Sequence, residues 1–292
     1  HINSLSKNTG KAESAPFLLI GPVSLKEKTM IDIAALTVSE LKILLEREGE
    51  HIGPLLALML KDERKSVRKL AEGYSKKEER RKKEEARLQG MLKYETIFYH
   101  KGAQYIAGID EVGRGPVAGP VTVAAVILPA GWTCPGINDS KKIPPEKREV
   151  LYDAVMDNAV AVSCICKSEK EIDALDIYHA TQQAMYEAVA ALAVRPDAVL
   201  VDAMPLPGLG IAHASLIGGD SRSLSIAAAS IIAKVTRDRI MVDYDARYPQ
   251  YGFAGHKGYL TQRHRDAIAM YGPCPIHRRS FEPVRSMVHF HR

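Results

Sequence analysis

The stretch Tyr105–Pro120, YIAGIDEVGRGPVAGP, joins a short apolar run to two adjacent acids and a glycine-rich segment. The run Tyr105–Ile109 has the composition of a strand, and it leads directly into Asp110 and Glu111. Aspartate is depleted in strands and adjacent negative charges repel each other. The acid pair therefore favours a functional site just after a strand end.

Glycines surround the single cation of this stretch. Gly113 and Gly115 flank Arg114, and bare backbone lets the main chain approach a ligand closely with its N–H groups facing it. The alternative, from this local pattern alone, is a strand that ends in a solvated turn.

Composition limits what such a site can be. The chain has 292 residues and 46% apolar residues, enough for one large domain with an appendage or for two modest domains. No apolar run reaches the roughly 18 residues of a membrane span, so no membrane partner is expected. Residues 1–104 hold 20 Lys and Arg against 15 Asp and Glu, whereas residues 105–292 hold 20 of each. A basic appendage is compatible with a polyanionic partner, and also with a solvated basic helix.

The four cysteines are too few and too scattered for a disulfide framework. Cys164 and Cys166 share one face of a predicted strand, and we interpret them as small buried hydrophobic residues. A reducing, cytoplasmic setting is the simplest inference.

The N-terminal third is predicted to be helical. Residues 1–29 lack periodicity and are interpreted as a leader outside the folded protein, and residues 30–100 as a charged helical extension and linker. Thr37–Glu40 has the form of a capping box. In Lys76–Arg87 only Ala86 is uncharged, which predicts a solvated helix with ion pairs one turn apart. Contact with nucleic-acid phosphates is the alternative role for this run.

Residues 101–292 are predicted to form the main domain, with a helical part from about residue 243. Three consecutive strands, a helical crossover, two more strands and a final helix predict a mixed α/β sheet flanked by helices. After the first strand, the further strands are expected at Pro120–Leu128, Ala159–Cys166, Ala198–Ala203 and Ile211–Ile217. Helices are expected at Pro144–Asn158 and Ser223–Ile240, and Ile172–Val194 is expected to form one long helix or two broken ones.

Charged residues near helix ends are expected to interact with helix dipoles. We interpret Asp173 and Asp176 as carboxylates at a helix start. Lys234, Arg237 and Arg239 are expected in the last turns of the final helix.

Two further acids stand at predicted strand ends. Asp202 ends the fourth strand and Asp220 follows the fifth. Each acid alone is compatible with a helix cap or a solvated turn. Together with Asp110 and Glu111 they favour a site for Mg²⁺ or Mn²⁺, because these hard cations prefer oxygen ligands. Two ions roughly 4 Å apart would suit phosphodiester hydrolysis.

Six segments of the chain resemble the ribonuclease HII family, and together they cover about residues 105–285. The resemblance rests on GIDEVGRGPVAGPVTVAAVILP at 108–129, NDSKK at 138–142, LVDAM at 200–204, GGDSRSLSIAAASIIAKVTRDR at 218–239, YGFAGHKGYLTQRH at 251–264 and HRRSFEPV at 277–284. Related type-three ribonucleases H carry Gly-Lys-Gly at 113–115, so Arg114 selects type two. The charged extension from Met30 looks like that of Bacillus-type members.

The resemblance implies a ribonuclease H-like fold and a two-metal endonuclease. It would cleave RNA in RNA–DNA hybrids and nick duplex DNA on the 5′ side of an embedded ribonucleotide, leaving a 3′-hydroxyl and a 5′-phosphate. Nucleic acid is thus the implied partner, protein partners stay unknown, and a monomer is expected. The family's metal-binding acids match Asp110, Glu111, Asp202 and Asp220.

The resemblance also implies substrate contacts. Gly113, Arg114 and Gly115 match the loop that reads the 2′-hydroxyl, and Tyr259 matches the tyrosine that stacks on the following deoxyribose. The 2′-hydroxyl is the local feature that separates RNA from DNA. Phosphate contacts are expected from Lys141, for which a plain surface role is the alternative, and from Arg222, where the family more often has lysine.

Some polar residues near these motifs are interpreted as structural. The histidines His256, His264 and His277 are assigned structural or phosphate-binding roles, since metal-bound hydroxide can supply the base. Ser221 and Ser225 are interpreted as helix-start hydroxyls.

Two other classes of function stay open. One is a hybrid-binding module on the same fold that has lost its chemistry, although all four acids are present. The other is a related nuclease acting on branched DNA, which would not need the Gly113–Gly115 loop or Tyr259.

Overall fold

A computed structural model describes residues 32–289. The leader predicted for residues 1–29 lies outside the described residues. The described chain forms two compact units, residues up to 78 and residues from 79 onward. Among the helices of residues 32–289, none has the length and apolarity needed to cross a bilayer.

The first unit is a small helical bundle. It contains α1 (Val38–Glu48), α2 (Gly53–Met59) and the first turns of α3 (Lys65–Met91). The capping box at Thr37 is confirmed, because its side chain accepts a hydrogen bond from the Glu40 backbone N–H and the Glu40 carboxylate accepts one from the Thr37 N–H. The bundle has a core of its own, formed mainly by Leu41, Leu45, Leu55, Leu56, Met59, Val67 and Ala71.

The charged run Lys76–Arg87 lies within α3, so the predicted helix is confirmed. Glu79 and Lys83 form the expected ion pair one turn apart, at 2.7 Å. Exposed pairs of this kind contribute only a few tenths of a kcal/mol, about 0.3–0.5. After α3 comes α4 (Lys93–His100), which leads into the sheet.

The second unit is built on one mixed sheet. Within the described chain it has five strands, in the order β3-β2-β1-β4-β5. The first three strands are antiparallel neighbours, while β4 pairs parallel to both β1 and β5. The mixed five-stranded sheet predicted from the sequence is confirmed. Its strands are β1 (Ile106–Val112), β2 (Val121–Ile127), β3 (Ala161–Lys167), β4 (Ala198–Asp202) and β5 (Ala212–Leu216).

Helices cover both faces of the sheet. One face packs against α5 and α8, and the other packs against α7. The C-terminal helices form a further cluster around Phe253 and Tyr251. The helices that follow α4 are α5 (Pro145–Asn158), α6 (Glu169–Leu175), α7 (Ile177–Ala190), α8 (Leu224–Arg247), α9 (Phe253–His256), α10 (Gln262–Tyr271) and α11 (Val284–His289).

Two predictions about carboxylates in this region have different outcomes. Asp176 does start a helix, since it caps α7 by accepting a hydrogen bond from the His179 N–H. Asp173 lies inside α6 instead. Its carboxylate accepts hydrogen bonds from the backbone N–H groups of Arg279 and Ser280, at 2.9 and 2.8 Å. The predicted helix-start role was wrong for Asp173, because its carboxylate instead binds backbone N–H groups of the C-terminal segment.

Other local predictions also need correction. The helix α8 continues to Arg247, so Lys234, Arg237 and Arg239 lie in its middle rather than in its last turns. The predicted helix ended at Ile240, seven residues before the helix itself ends. Cys166 is exposed rather than buried, since β3 is an edge strand.

A close approach between α8 and β1 fixes the centre of this unit. A Cβ added to Gly108 would lie 2.0 Å from the Ser225 carbonyl carbon. The helix presents small residues in its first turns, with Ala227, Ala228 and Ala229 fully buried. Only a glycine in the strand lets the two backbones approach so closely.

We therefore predict that Gly108→Ala destabilises the protein by at least about 1–3 kcal/mol, the cost of overpacking a tight core. Thermal unfolding followed by circular dichroism measures it, with about 2–4 °C expected per kcal/mol. Gly90→Ala in α3 is the control, because nothing lies within 4 Å of a Cβ there. Equal melting temperatures for the two variants would contradict the proposed packing constraint.

Candidate active site

The acid pair Asp110 and Glu111 lies inside β1, not in the loop after it. Asp110 pairs with Ala124 of β2 and Glu111 pairs with Val123. The prediction that the strand ends before the acids was wrong, because pairing with β2 continues to Val112. Alternation along a strand directs Asp110 toward α8 and Glu111 toward the other face.

Three carboxylates meet at one edge of the fold. Asp110 comes from β1, Asp202 ends the neighbouring strand β4, and Asp220 lies in a short 3₁₀ turn just before α8. Each offers one carboxylate oxygen, and these oxygens all lie within 4.8 Å of one another. The Gly219 N–H donates a hydrogen bond to Asp202 Oδ1 at 2.8 Å, which ties the turn to the end of β4.

The electrostatics of this cluster favour a bound cation. Asp110 is only 5% exposed, and burial raises its pKa well above the ordinary range, with further increases from the charges of Glu111 and Asp202. Burial also raises the pKa of Asp220, together with the charges of Asp139 and Asp202. Buried carboxylates that repel one another are stabilised by a divalent cation with oxygen ligands. The three residues thus fit a hard metal ion.

Glu111 lies beside this group rather than within it. Burial raises its pKa to about 7, although Arg114 opposes the shift. Arg114 Nη1 lies 3.5 Å from Glu111 Oε1. The other oxygen, Oε2, is buried and has no hydrogen-bond partner among residues 32–289. A buried carboxylate oxygen without a partner is costly, and ligation of a cation would satisfy it.

The glycine loop and Tyr259 form one surface next to the acids. Gly113 has a φ of 93°, a conformation that favours glycine. A Cβ added to Gly115 would lie 3.6 Å from Tyr259 Cε1, so the structure places the Tyr259 ring next to Gly115. The side chain of Arg114 is 41% exposed, and Tyr259 is 45% exposed.

The two predicted phosphate-binding cations have different surroundings. Burial opposes protonation of Lys141, but the charges of Asp110, Asp139 and Asp220 raise its pKa overall. Lys141 thus lies within the field of the acid cluster. Arg222 is exposed, and its guanidinium donates to the Ile217 carbonyl at 3.1 Å and to the hydroxyl of Tyr94.

Sequence reasoning missed Asp139 as a neighbour of the acid cluster. Its carboxylate caps the turn Ser140–Lys142 by accepting from the Lys141 N–H at 2.9 Å. Its charge also acts on Asp220 and Lys141. An acid two residues before the first lysine of the NDSKK segment was the available signal.

Glu95 was also missed. It is 3% exposed, and its Oε1 accepts hydrogen bonds from the hydroxyls of Ser223 and Ser225 at 2.6 Å each. These bonds hold the start of α8, three residues after Asp220, against α4. Of the two predicted helix-start hydroxyls, Ser225 lies in the first turn of α8 and donates to Glu95, whereas Ser221 lies before α8 and donates to the Gly218 carbonyl. The N-cap of α8 is a third serine, Ser223.

The histidines of the C-terminal part are structural in their contacts. His264 Nε2 and His277 Nε2 lie 3.0 Å apart in a buried cluster. Burial lowers the pKa of each to about 4, so both are neutral at physiological pH. His264 Nδ1 lies 3.0 Å from the Tyr259 carbonyl oxygen and so supports the turn that carries Tyr259.

Comparison with known proteins agrees with this architecture. The family model described as Ribonuclease HII matches residues 107–284, and the Ribonuclease HII N-terminal domain model matches residues 37–99. The chain belongs to the ribonuclease HII family. It is therefore a ribonuclease H, a hydrolytic nuclease that acts on nucleic acid.

Individual relatives support the assignment along most of the chain. Ribonuclease HII of Geobacillus thermodenitrificans is 52% identical over 250 residues, which cover 85% of this chain and 96% of the relative. Ribonuclease HII of Bacillus mycoides is 47% identical over 253 residues, which cover 87% and 98%. The crystal structure of ribonuclease H2 from Pyrococcus horikoshii matches with a TM-score of 0.56 and 26% identity, over 64% of this chain and 98% of that one.

The acid cluster predicts how stability depends on pH in the metal-free protein. The pKa of Glu111, about 7, exceeds the ordinary value of 4.5. The folded state therefore holds this proton more tightly, and stability falls as pH rises between these two values. Asp110 shifts in the same direction. We predict a lower melting temperature at about pH 8 than at about pH 5 in the presence of a chelator.

Asp110→Asn removes part of the repulsion and should raise the melting temperature at the higher pH, by about 2–4 °C per kcal/mol relieved. Asp157→Asn, at an exposed position of α5, is the matched control. If the melting temperatures of both variants depended on pH as that of the unmodified protein does, repulsion between the carboxylates would not limit stability.

Proposed function

We propose that this ribonuclease H cleaves the RNA strand of RNA–DNA hybrids and nicks duplex DNA on the 5′ side of an embedded ribonucleotide. One observation carries the proposal. One carboxylate oxygen from each of Asp110, Asp202 and Asp220 lies within 4.8 Å of the others, and this cluster lies beside the surface where the ring of Tyr259 is next to Gly115.

Four acids would hold two divalent ions, Mg²⁺ or Mn²⁺. Asp110, Asp202 and Asp220 have oxygens close enough together to ligate the same ion. Glu111 contributes a buried oxygen without a hydrogen-bond partner among the described residues. When bound, such ions supply an activated water and neutralise charge on the phosphate. The pKa values of Asp110 and Glu111 are raised, so these residues would release protons when a cation binds.

The reaction is hydrolysis of a phosphodiester. The oxygen of water bonds to phosphorus, the bond from phosphorus to the 3′-oxygen breaks, and a proton passes to that oxygen. The products are a 3′-hydroxyl and a 5′-phosphate. In the chain, the rigid strands β1 and β4 keep the acids at fixed positions relative to the scissile group.

Selection of the ribonucleotide is assigned to the surface beside the acids. The backbone of Gly113 and Gly115, together with Arg114, would contact the 2′-hydroxyl, and Tyr259 would stack on the following deoxyribose. Exposure of Arg114 and Tyr259 supports these roles. Lys141 and Arg222 would contact phosphates, and Lys141 is the better supported because it lies in the field of the acid cluster.

The proposed organisation follows the same division as the family models. Residues 30–100 would form the helical extension and residues 101–292 the catalytic domain, in support of which separate models match 37–99 and 107–284. The four cysteines are free thiols, in keeping with the proposed reducing cytoplasm, where the protein would act as a monomer.

The deciding experiment uses duplex DNA that contains one ribonucleotide, incubated with and without Mn²⁺. We expect a nick on the 5′ side of the ribonucleotide that requires the metal. A hybrid-binding module would leave the duplex intact, and a nuclease for branched DNA would not recognise the ribonucleotide. Either result would contradict the proposal.

Asp110→Asn and Asp220→Asn should each lower the cleavage rate by at least about 100-fold. Loss of a residue that only orients a metal ligand costs up to about 100-fold, and loss of a ligand itself should cost at least as much. Binding of the duplex, measured by fluorescence anisotropy, should be largely retained. Asp157→Asn is the control and should cleave normally. Turnover near that of the unmodified protein in either active-site variant would refute the metal assignment.

A further inference from the structure

Two arginines lie buried directly behind the substrate-reading surface. Arg237 of α8 and Arg278 of the C-terminal segment both have no exposed surface. A buried guanidinium is costly unless its N–H groups are satisfied. Neither side chain forms an ion pair within the described part of the chain, and both donate instead to backbone carbonyl groups.

Arg278 holds the glycine loop from behind. Its Nη2 donates to the Gly113 carbonyl at 2.5 Å and its Nη1 to the Arg114 carbonyl at 2.9 Å. Its Nε donates to the Gly119 carbonyl at 2.9 Å, at the end of the same segment. One rigid side chain thus fixes three peptide groups of the loop.

Arg237 joins this loop to the turn that carries Tyr259. Its Nε donates to the Pro120 carbonyl at 2.9 Å and its Nη2 to the Ala118 carbonyl at 3.2 Å. Its Nη1 donates to the Lys257 carbonyl at 2.9 Å, two residues before Tyr259. The backbone itself adds a link between the same two segments, from the Val117 N–H to the Gly258 carbonyl at 3.0 Å.

The direction of these carbonyl groups determines what the loop presents to substrate. In a trans peptide the carbonyl of one residue and the N–H of the next point in opposite directions. Because the carbonyls of Gly113 and Arg114 point toward Arg278, the N–H groups of Arg114 and Gly115 point away from it. These are donors of the glycine loop that the proposed function assigns to the 2′-hydroxyl.

We propose that Arg278 and Arg237 are positioning residues that hold the Gly113–Gly115 loop and the Tyr259 turn as one preformed surface for the ribonucleotide junction. The inference rests on the proposed function and adds residues that act on selectivity through the backbone. Hydrogen-bond donors that are already held in place bind a ligand more tightly, because less conformational entropy is lost on binding. The guanidinium group is needed here because its planar shape holds its N–H donors in fixed directions toward three carbonyl groups. The ammonium group of lysine is a compact charge on a flexible side chain and does not reproduce this geometry.

Charge alone does not explain the arrangement. Burial lowers the pKa of Arg278 to about 9, which leaves the side chain protonated at neutral pH. A buried cation near the surface would attract any phosphate backbone, with or without a 2′-hydroxyl. Arg278→Lys separates the two contributions, because lysine keeps the charge and loses the fork.

The test compares kcat/KM on two substrates, a duplex with one ribonucleotide and a hybrid with an all-RNA strand. Arg278→Lys is expected to lower the ratio of the first to the second by about tenfold or more, within the range for a small misplacement of a positioning group. Arg279→Lys, at the adjacent exposed position, is the matched control and should leave the ratio unchanged. An unchanged ratio in Arg278→Lys, or an equal loss on both substrates, would overturn the inference.

Arg114→Ala distinguishes failure of the inference from failure of the proposed function. If Arg114→Ala lowers the ratio and Arg278→Lys does not, the loop reads the junction without help from Arg278. If the unmodified protein does not nick at the ribonucleotide, the proposed function itself is wrong.

A measurement on the unmodified protein keeps the inference testable if Arg278→Lys does not fold. Backbone hydrogen exchange should already be slow at Val117 and Gly119 without substrate, because their N–H groups donate to the Gly258 and Ile276 carbonyls at 3.0 and 2.8 Å. Addition of the ribonucleotide duplex with Ca²⁺ in place of Mn²⁺ should change these rates little. Fast exchange that slows on binding would show that substrate orders the loop, and would contradict a preformed surface.

Discussion

Repulsion between buried carboxylates is the constraint on which the rest of the molecule depends. Asp110 is almost fully buried near the end of the central strand β1, and one oxygen each of Asp202 and Asp220 lies within 4.8 Å of its carboxylate. Folding keeps them together because α8 packs on β1 at Gly108, where no side chain separates the two backbones. The same close packing that builds the core therefore holds the turn with Asp220 over β1. The stability lost to repulsion would be the physical basis for the proposed binding of cations at this site.

Much of the fold could be predicted because local patterns and tertiary structure agree. The capping box at Thr37, the β-branched run in β2 and the acids near the ends of β1 and β4 each have a direct local signal. The position of Asp110 inside β1 had no such signal, since the strand continues only because β2 pairs with it through Val112. Strand boundaries of this kind depend on a partner strand and not on propensity.

The buried arginines illustrate a second limit of sequence reasoning. Arg237 reads as an ordinary surface cation near the end of a helix, and Arg278 as one of two adjacent arginines in a charged segment. Their burial depends on six carbonyl groups from distant parts of the chain. No spacing rule encodes such contacts. The same holds for Glu95, whose bonds to Ser223 and Ser225 join residues about 130 positions apart. Residues outside the acid cluster thus hold the segments that surround it.

The most direct test of the account is calorimetric titration of the protein with Mn²⁺ at about pH 7, where the raised pKa values leave part of the acid cluster protonated. The titration is run in two buffers with different enthalpies of ionisation. Because bound cations would displace protons from Asp110 and Glu111, the measured enthalpies should differ between the buffers, and the difference should shrink in Asp110→Asn. Equal enthalpies in both buffers, or unaltered Mn²⁺ binding by Asp110→Asn, would contradict a metal centre built on these buried carboxylates.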